Sequence, residues 1–441
     1  MNRRNFIKSA AIAPMLGALD ACAAIGGASD SQMWSGKSHP LAGKALPQWK
    51  PGEFQVHFIY TGVGESMFWI LPDGTTMLLD CGDHKAWTRG KLAVWILPDG
   101  KKNAGEWIAR YVTRVNPVKT AVDYLMLSHH HTDHGGSDVW GAGMREWNGK
   151  KLSVSGILQA ADVLRFNTAF DRGWPDFNAP IPDELCDTEC YVHMRKVYDY
   201  LVQRDGLEMQ KFNVGDTGQI AMRRNAAAYP FFSIVNIAGN GRILRRDGSV
   251  RDLYADLHGA KRLNENGMSL GLLVKYGPFR FYTAGDFSDT PRLPNGSRLD
   301  IETELAKELD PVDVAKVNHH GHHAMPSALV AALRARVWTA CVWDQLHMTS
   351  DTLERLSDRS AYPGARLIAP GLFSPQRRIA DAGRDYLRDI APESFDAGHV
   401  VLNVAPGGKS YTVAYVTADD ESMMVRGAYD FQSRAHEGGI G

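Results

Sequence analysis

The sequence predicts a mixed α/β fold in which two strand-rich halves form a two-layered sandwich. Short alternating or apolar runs typical of strands occur before residue 140 and again after residue 262. Stretches with helical spacing separate several of these runs, and glycine or proline dipeptides mark turns between them. The composition, 44% hydrophobic and 22% charged, is that of a globular protein with a large core.

The first 52 residues are predicted to precede the fold. Residues 1–24 resemble a twin-arginine export signal, because Arg3-Arg4 precedes a short apolar stretch and Ala21-Cys22-Ala23 fits a cleavage site. We therefore expect a periplasmic or secreted protein that uses the twin-arginine export machinery, with a lipid anchor on Cys22 as the alternative. Residues 25–52 are rich in glycine, serine, alanine and proline, which predicts a linker.

The folded part is predicted to open with a small antiparallel meander. Its strands are residues 55–60, 67–71 and 76–79, with a turn at Asp73-Gly74. Residues 105–115 have helical spacing and end before Pro117. Residues 122–127 form an apolar run that predicts a buried strand.

Residues 140–262 are predicted to be a long insertion around the continuing sheet. Within and beyond it, helices are expected at 191–204 and 352–357, and strands at 231–237, 312–317, 336–342 and 410–417. Residues 271–283 are predicted to form two strands joined by Gly277-Pro278. These elements predict one domain over residues 53–420. Residues 421–441 are predicted to be a C-terminal tail.

Bulk properties exclude some partners and leave others open. The formal net charge of −1 gives no sign of nucleic-acid binding. After the signal, no segment is apolar for long enough to predict a transmembrane span. Cys186 and Cys190 are equally consistent with a disulfide and with two unpaired thiols.

Four candidate metal ligands lie within six residues: His129, His131, Asp133 and His134. The run follows a predicted buried strand, and in layered α/β folds ligands gather beyond the strand ends. Three imidazoles and one carboxylate suit zinc, with iron or manganese as alternatives. The sequence therefore predicts a metal site in the loop after this strand.

This H-x-H-x-D-H run resembles the signature of the metallo-β-lactamase superfamily. Three further segments carry the resemblance: Leu78-Leu79-Asp80-Cys81-Gly82, Thr283-Ala284-Gly285-Asp286 and Lys316-Val317-Asn318-His319-His320-Gly321. Over residues 54–373, the resemblance implies an αββα sandwich of two mixed β-sheets flanked by helices, with one or two metals between the sheets. The H-H-G form followed by His347 is similar to the hydrolase domain of DNA-uptake competence proteins and to phosphorylcholine esterases.

The resemblance also implies a role for each matching residue. His129, His131 and one more group would hold a first metal, while Asp133, His134 and His319 would hold a second and Asp286 would bridge them. Asp80 would brace the ligand loop, and His320 is the alternative to His319. A metal-bound water or hydroxide would be the nucleophile, with Asp133 steering it and His347 facing the substrate as an acid or an orienting group.

One departure concerns the first metal. Many relatives have a further histidine shortly before the bridging aspartate, where this chain has Asn264-Glu265-Asn266-Gly267-Met268-Ser269. Asn266 stands in that place, and the nearest upstream histidines are His258 and the more distant His193. We therefore expect at least one tightly bound ion and an under-coordinated or weakly occupied position for the first metal.

The predicted function is that of a metal-dependent hydrolase with one or two divalent ions, zinc first. Its substrate would be a small-molecule ester, with phosphoesters or phosphodiesters as the first class by resemblance. Lactone, thioester or β-lactam hydrolysis is the alternative within the same chemistry. Outside hydrolysis, the alternatives are an oxidoreductase and a non-catalytic metal-binding protein of the same fold.

Overall fold

The computed structural model describes residues 34–84, 96–139, 141–177, 188–255, 264–288 and 299–435. The predicted export signal, Cys22, Cys186 and His258 lie outside these ranges. Within the described ranges, no helix has both the length and the apolar character needed to cross a membrane.

The described residues form two large mixed sheets, a separate hairpin and short helices. The strands are β1 (Phe54–Phe58), β2 (Met67–Ile70), β3 (Thr76–Leu79), β4 (Ala121–Leu127), β5 (Met144–Trp147), β6 (Lys150–Ser153), β7 (Arg165–Asp171), β8 (Glu208–Lys211), β9 (Phe232–Gly239), β10 (Arg242–Leu244), β11 (Val250–Asp252), β12 (Gly271–Tyr276), β13 (Phe279–Ala284), β14 (Val314–Lys316), β15 (Val337–Ala340), β16 (Leu367–Pro370), β17 (Gly398–Val404), β18 (Ser410–Thr417) and β19 (Val425–Gln432). The helices are α1 (Ala104–Val115), α2 (Thr132–Gly135), α3 (Ile157–Ala160), α4 (Thr188–Asp205), α5 (Ile301–Ala306), α6 (Ser327–Leu333), α7 (Ser350–Ser357) and α8 (Pro375–Ala380).

Each large sheet has an antiparallel half and a parallel half. The first sheet has the order β19-β18-β17-β1-β2-β3-β4-β7-β8, and β3, β4, β7 and β8 run parallel. The second has the order β11-β10-β9-β12-β13-β14-β15-β16, and β13 to β16 run parallel. Loops that follow parallel strands leave the same edge of a sheet, which is where ligands gather in layered α/β folds.

The two sheets pack face to face through their aromatic and aliphatic side chains. Trp69 of β2 lies against Phe281 of β13, with ring centroids 5.6 Å apart, and Phe54 of β1 lies against Phe232 of β9 at 5.3 Å. All four belong to one buried cluster that draws on both sheets. Because side chains alternate across a strand, the neighbouring residues point to the opposite faces.

Helices cover the outer faces of the sheets. Ile108 and Val112 of α1 and Met194 of α4 share a buried cluster with Leu125 of β4. On the other sheet, side chains of α5, α6 and α7 share a cluster with Trp338 of β15. The protein is therefore a mixed α/β fold with its main core between two large sheets, as the sequence predicted at this level.

The predicted strands and helices before residue 140 agree with the structure to within about two residues, the usual scatter of element ends. Residues 140–262, which we expected to be a long insertion around the continuing sheet, contribute strands to both sheets. Residues 165–171 and 208–211 extend the first sheet, and residues 232–252 supply three strands of the second. The predicted tail also contains β19, which pairs with β18 along its length. β7 pairs with β4 and β8, and other elements separate it from both along the chain, so local spacing leaves no mark of this pairing.

Candidate metal centre

The histidine-rich run lies where β4 ends. His129 is fully buried, and its Nε2 atom is 3.0 Å from Nδ1 of the half-buried His131. The short helix α2 then turns the chain, so that the rings of His129 and His134 come within 4.2 Å of each other, centroid to centroid. The structure therefore brings His129, His131 and His134 together, as the sequence predicted.

Asp80 holds this loop from the neighbouring strand end. Its Oδ1 atom accepts the backbone N–H of Ser128 at 2.7 Å, and its Oδ2 atom accepts the Ser128 hydroxyl at 2.7 Å. Oδ2 also accepts Nδ1–H of His134 at 2.8 Å. Because Nδ1 of His134 is used in this way, its Nε2 atom keeps the lone pair that a metal needs.

The second sheet supplies the candidate ligands on the opposite side. Asp286 follows β13, and its Oδ2 atom lies 3.1 Å from Nε2 of His134 and 3.1 Å from Nε2 of His320. Oδ2 of Asp133 is 3.0 Å from the same His320 nitrogen. Nδ1–H of His320 donates to the carbonyl oxygen of Cys341 at 2.7 Å, which leaves Nε2 as the ligand atom.

The predicted preference for His319 over His320 differs from this geometry. Both residues have left-handed backbone, with φ of 47° and 52°, and this turns the two rings to different sides. His320 reaches the cluster of Asp133, His134 and Asp286. His319 lies beside it, with Nε2 3.4 Å from Nδ2 of Asn266. A straight strand end would have favoured His319, and the left-handed turn reverses that choice.

The electrostatics of the cluster favour a cation. Burial would lower the pKa of His320, but the carboxylates of Asp286 and Asp133 outweigh it and raise that pKa to about 10. The pKa of His134 is held well above its ordinary value in the same way, against the effect of burial. Carboxylates that draw protons onto imidazoles also attract a divalent ion, which binds the neutral imidazole in place of the proton.

Two contributors to the centre were missed by the sequence analysis. Glu65, in the loop between β1 and β2, is fully buried and pairs with Lys316 of β14 at 2.8 Å between Oε1 and Nζ. A carboxylate oxygen of Glu65 also lies within 4.8 Å of ligand atoms of His134, Asp286 and His320, which together form a group that could hold a metal ion. Nothing in the local spacing of the sequence links residue 65 to residue 316.

A second buried network supports the loop from behind. Nε2 of His130 lies 2.9 Å from Oδ2 of Asp171, which also accepts the Tyr198 hydroxyl at 2.9 Å. The backbone N–H of His130 donates to Glu265 at 2.7 Å, and Glu265 is held by the buried guanidinium of Arg172. His130 therefore faces away from the ligand cluster and ties its loop to both sheets.

Asn266 stands where many relatives have a further histidine ligand for the first metal, and its side chain makes hydrogen bonds at the edge of the cluster. Nδ2 of Asn266 donates to Ser288 at 3.1 Å and lies beside His319, so the residue contacts the centre's edge. His193 is buried elsewhere, with Nε2 3.3 Å from the carbonyl oxygen of Ser155. Nε2 of His129 is 3.9 Å from Asp286, so His129, His131 and Asp286 form the more open half of the centre.

A cleft of about 340 Å³ opens onto the cluster. His347 lines it and stacks on His320, with ring centroids 4.9 Å apart. The backbone N–H groups of Trp343 and Asp344 donate to Nδ1 of His347 at 3.4 and 3.3 Å, which places the proton of the neutral ring on Nε2. The sequence-predicted His347 is therefore at the site.

Close backbone packing sets the position of Asp133. A Cβ atom on Gly82 would lie 1.8 Å from the carbonyl oxygen of Asp133, so only glycine fits there. The backbone N–H of Gly82 donates to the carbonyl oxygen of Glu65 at 3.0 Å, which joins three loops at this point.

Neither comparison with known proteins yields a relative. No protein-family model matches the chain, and no curated protein matches it significantly.

Proposed function

We propose that this protein is a metal-dependent hydrolase that acts on phosphoesters or phosphodiesters. The observation that supports the proposal most is the convergence of His134 and His320 on one oxygen of Asp286, at 3.1 Å from each Nε2. Both far nitrogens are tied to fixed acceptors, so both ligand atoms are oriented before any ion arrives.

The donor set suits a divalent transition metal. Asp133, His134, His320 and Asp286 would hold one ion, and His129, His131 and Asp286 would hold a second. Imidazole and carboxylate donors are typical of zinc sites, and iron or manganese would also accept them.

The buried charge supports the same assignment. Four carboxylates contact the cluster or Lys316, namely Glu65, Asp80, Asp133 and Asp286, against the one ammonium group of Lys316. Four negative charges and one positive charge leave three negative charges when the imidazoles are neutral. Uncompensated buried charge is costly, and one divalent cation would balance two of these three charges, whereas two would exceed them by one.

The chemistry would be divided between the ions and the chain. A bound divalent ion supplies Lewis acidity toward a phosphoryl or carbonyl oxygen. Burial holds the pKa of His347 well below its ordinary value, so the ring is neutral, and its Nε2–H would donate a hydrogen bond to the leaving oxygen of the substrate. Asp133 would orient the attacking water through its carboxylate oxygens, which accept hydrogen bonds.

The fold and the site together support membership of the metallo-β-lactamase superfamily as part of this proposal. Helices outside two packed sheets correspond to the αββα sandwich that the resemblance implies. The phosphoester class follows from the H-H-G branch by analogy, because one fold hosts many chemistries.

Metal analysis followed by a substrate panel tests the function. Protein purified without chelators should carry at least one zinc, iron or manganese ion and hydrolyse bis-p-nitrophenyl phosphate or p-nitrophenyl phosphorylcholine. Asp286→Asn should abolish that turnover, whereas Asp123→Asn, a buried carboxylate at the other end of β4, should retain it. Less than about 0.2 ion per chain without rescue by zinc or manganese would favour a non-catalytic protein. Activity on nitrocefin alone would replace the phosphoester class with β-lactams.

Export is a separate part of the proposal. The Arg3-Arg4 pair and the apolar stretch after it support twin-arginine export. Replacing both arginines by lysine should leave the precursor inside the cell, and unchanged export of this variant would argue for another route.

A further inference from the structure

The ligands of the candidate centre come from two different sheets, and one buried ion pair joins the two sides. Asp133 and His134 follow β4 of the first sheet, whereas Asp286 and His320 follow β13 and β14 of the second. Glu65 lies on the first side and Lys316 on the second, and both side chains are fully buried.

Each partner of the pair also bonds the backbone next to a ligand. The backbone N–H of Glu65 donates to the carbonyl oxygen of Asp133 at 2.7 Å. The Lys316 ammonium donates to the carbonyl oxygens of Ala284 and Gly285 at 2.8 and 3.4 Å, directly before Asp286. Oε2 of Glu65 is 3.4 Å from Nδ1 of His320. Of the four candidate ligands Asp133, His134, Asp286 and His320, three are thus contacted directly, or through the backbone before them, by Glu65 or Lys316.

Fold stability is a poor explanation for such a pair. Removing two charges from water costs about as much as their attraction returns, and apolar replacements of buried pairs are often neutral or stabilising. We propose that Glu65 and Lys316 are positioning residues, whose ion pair fixes the separation between the Asp133–His134 and Asp286–His320 sides and thereby sets metal affinity. The inference rests on the proposed function only in requiring that the site binds metal.

The double variant Glu65→Leu/Lys316→Met is the sharpest test. It removes one charge of each sign, so the net charge of the cluster is unchanged and only the tether is lost. Zinc affinity would be measured by competition with a chromophoric chelator. Cobalt substitution would report ligand geometry through its visible spectrum, and melting of the metal-free protein would report stability.

We expect zinc affinity to be roughly 10- to 100-fold weaker, which is the usual effect of losing a group that orients metal ligands. The cobalt spectrum should change, and the metal-free protein should melt no lower than wild type. The matched control is Arg359→Met/Asp389→Leu, which removes another pair with a fully buried carboxylate, joined at 2.6 Å between Nη2 and Oδ1. The control should keep wild-type affinity and spectrum.

Single variants separate positioning from direct ligation. If Glu65 positions ligands through Lys316, then Glu65→Gln and Lys316→Met should both weaken zinc binding. If Glu65 were itself a ligand, Lys316→Met would free its carboxylate and tighten binding, which would overturn the proposal.

Two further results would overturn the proposal. One is wild-type zinc affinity in the double variant. The other is a metal-free double variant that melts well below both wild type and the control, because the pair would then serve folding. A wild-type protein that binds no metal at all would instead refute the proposed function, so the two failures are distinguishable.

Discussion

Asp80→Asn is the substitution whose effect on the centre is best defined by the structure. Asp80 accepts three hydrogen bonds at the junction of β3 and β4, two from Ser128 and one from Nδ1 of His134. An asparagine can still accept the Ser128 backbone N–H through its oxygen. Its amide NH₂ would then face Nδ1–H of His134, where the carboxylate oxygen accepts now, and a donor cannot bond another donor.

The expected loss can be estimated from that one bond. A hydrogen bond to a charged group contributes about 1.5–3 kcal/mol, and each 1.4 kcal/mol is tenfold in an equilibrium constant, so roughly 10- to 100-fold is expected. We expect the loss in zinc affinity, because the unbonded ring of His134 is free to rotate or to change tautomer. Titration against a chromophoric chelator measures it directly.

Asp123→Asn is the matched control. Asp123 also joins β3 to β4, through the backbone N–H and hydroxyl of Thr76 at 2.8 and 3.2 Å, but at the opposite end of the strands. Both variants should lower the free energy of unfolding, whereas only Asp80→Asn should weaken zinc binding. Equal zinc affinities in the two variants would refute the reasoning that Asp80 orients a ligand.

Three further predictions concern the ligands, a buried acid and metal removal. His320→Ala should weaken zinc binding by about 100-fold or more, and His319→Ala by much less, because Nε2 of His320 lies 3.1 Å from Oδ2 of Asp286 whereas His319 lies beside Asn266. The same chelator titration measures both affinities, and a larger loss in His319→Ala than in His320→Ala would contradict this assignment. Burial raises the pKa of Glu302 to about 8 from its ordinary 4.5, so folding favours the neutral carboxyl, and the stability that this contributes below pH 4.5 is lost as the pH rises to about 8. Urea unfolding should therefore show a smaller decrease in the free energy of unfolding between pH 5 and pH 8 for Glu302→Gln than for wild type, and equal decreases would contradict this. Chelation should lower the melting temperature of the metal-loaded protein, because a ligand at 100 times its Kd stabilises the folded state by about 2.7 kcal/mol. Calorimetry with and without chelator measures the difference, and an unchanged melting temperature would contradict metal binding.

Much of the fold was predictable because its signals are local. Alternation over residues 55–60 and the apolar run at 122–127 mark strands whatever the rest of the chain does. The strand at 165–171 was missed although it pairs with β4, from which a hairpin and two short helices separate it along the chain. β19 was assigned to a tail although it pairs with β18, the strand directly before it. Strand pairing depends on the whole sheet, so local spacing does not predict it.

The candidate site likewise has a part that the sequence predicts and a part that it does not. His129, His131, Asp133 and His134 lie in one short loop, and a loop directly after a strand predicts their convergence. The choice between His319 and His320 depends on two left-handed residues, which the sequence H-H-G does not reveal. Non-glycine residues with positive φ are uncommon and concentrate at functional sites, so a propensity-based prediction misses them where they matter most.

The pair of Glu65 and Lys316 marks the limit of what local patterns can predict. Each residue follows or ends a strand that the sequence does reveal, yet 251 positions separate them, counted from the residue numbers of the pair. Their contact exists only because the two sheets pack face to face through Trp69, Phe281 and their neighbours. The candidate ligands on the two sheets also depend on this packing. The sequence predicts each loop that carries them separately, whereas the 3.1 Å distance between Nε2 of His134 and Oδ2 of Asp286 is set by how the two sheets pack. Core packing therefore contributes directly to the candidate metal centre, and we expect a substitution that shifts one sheet against the other to disturb metal binding before it unfolds the protein.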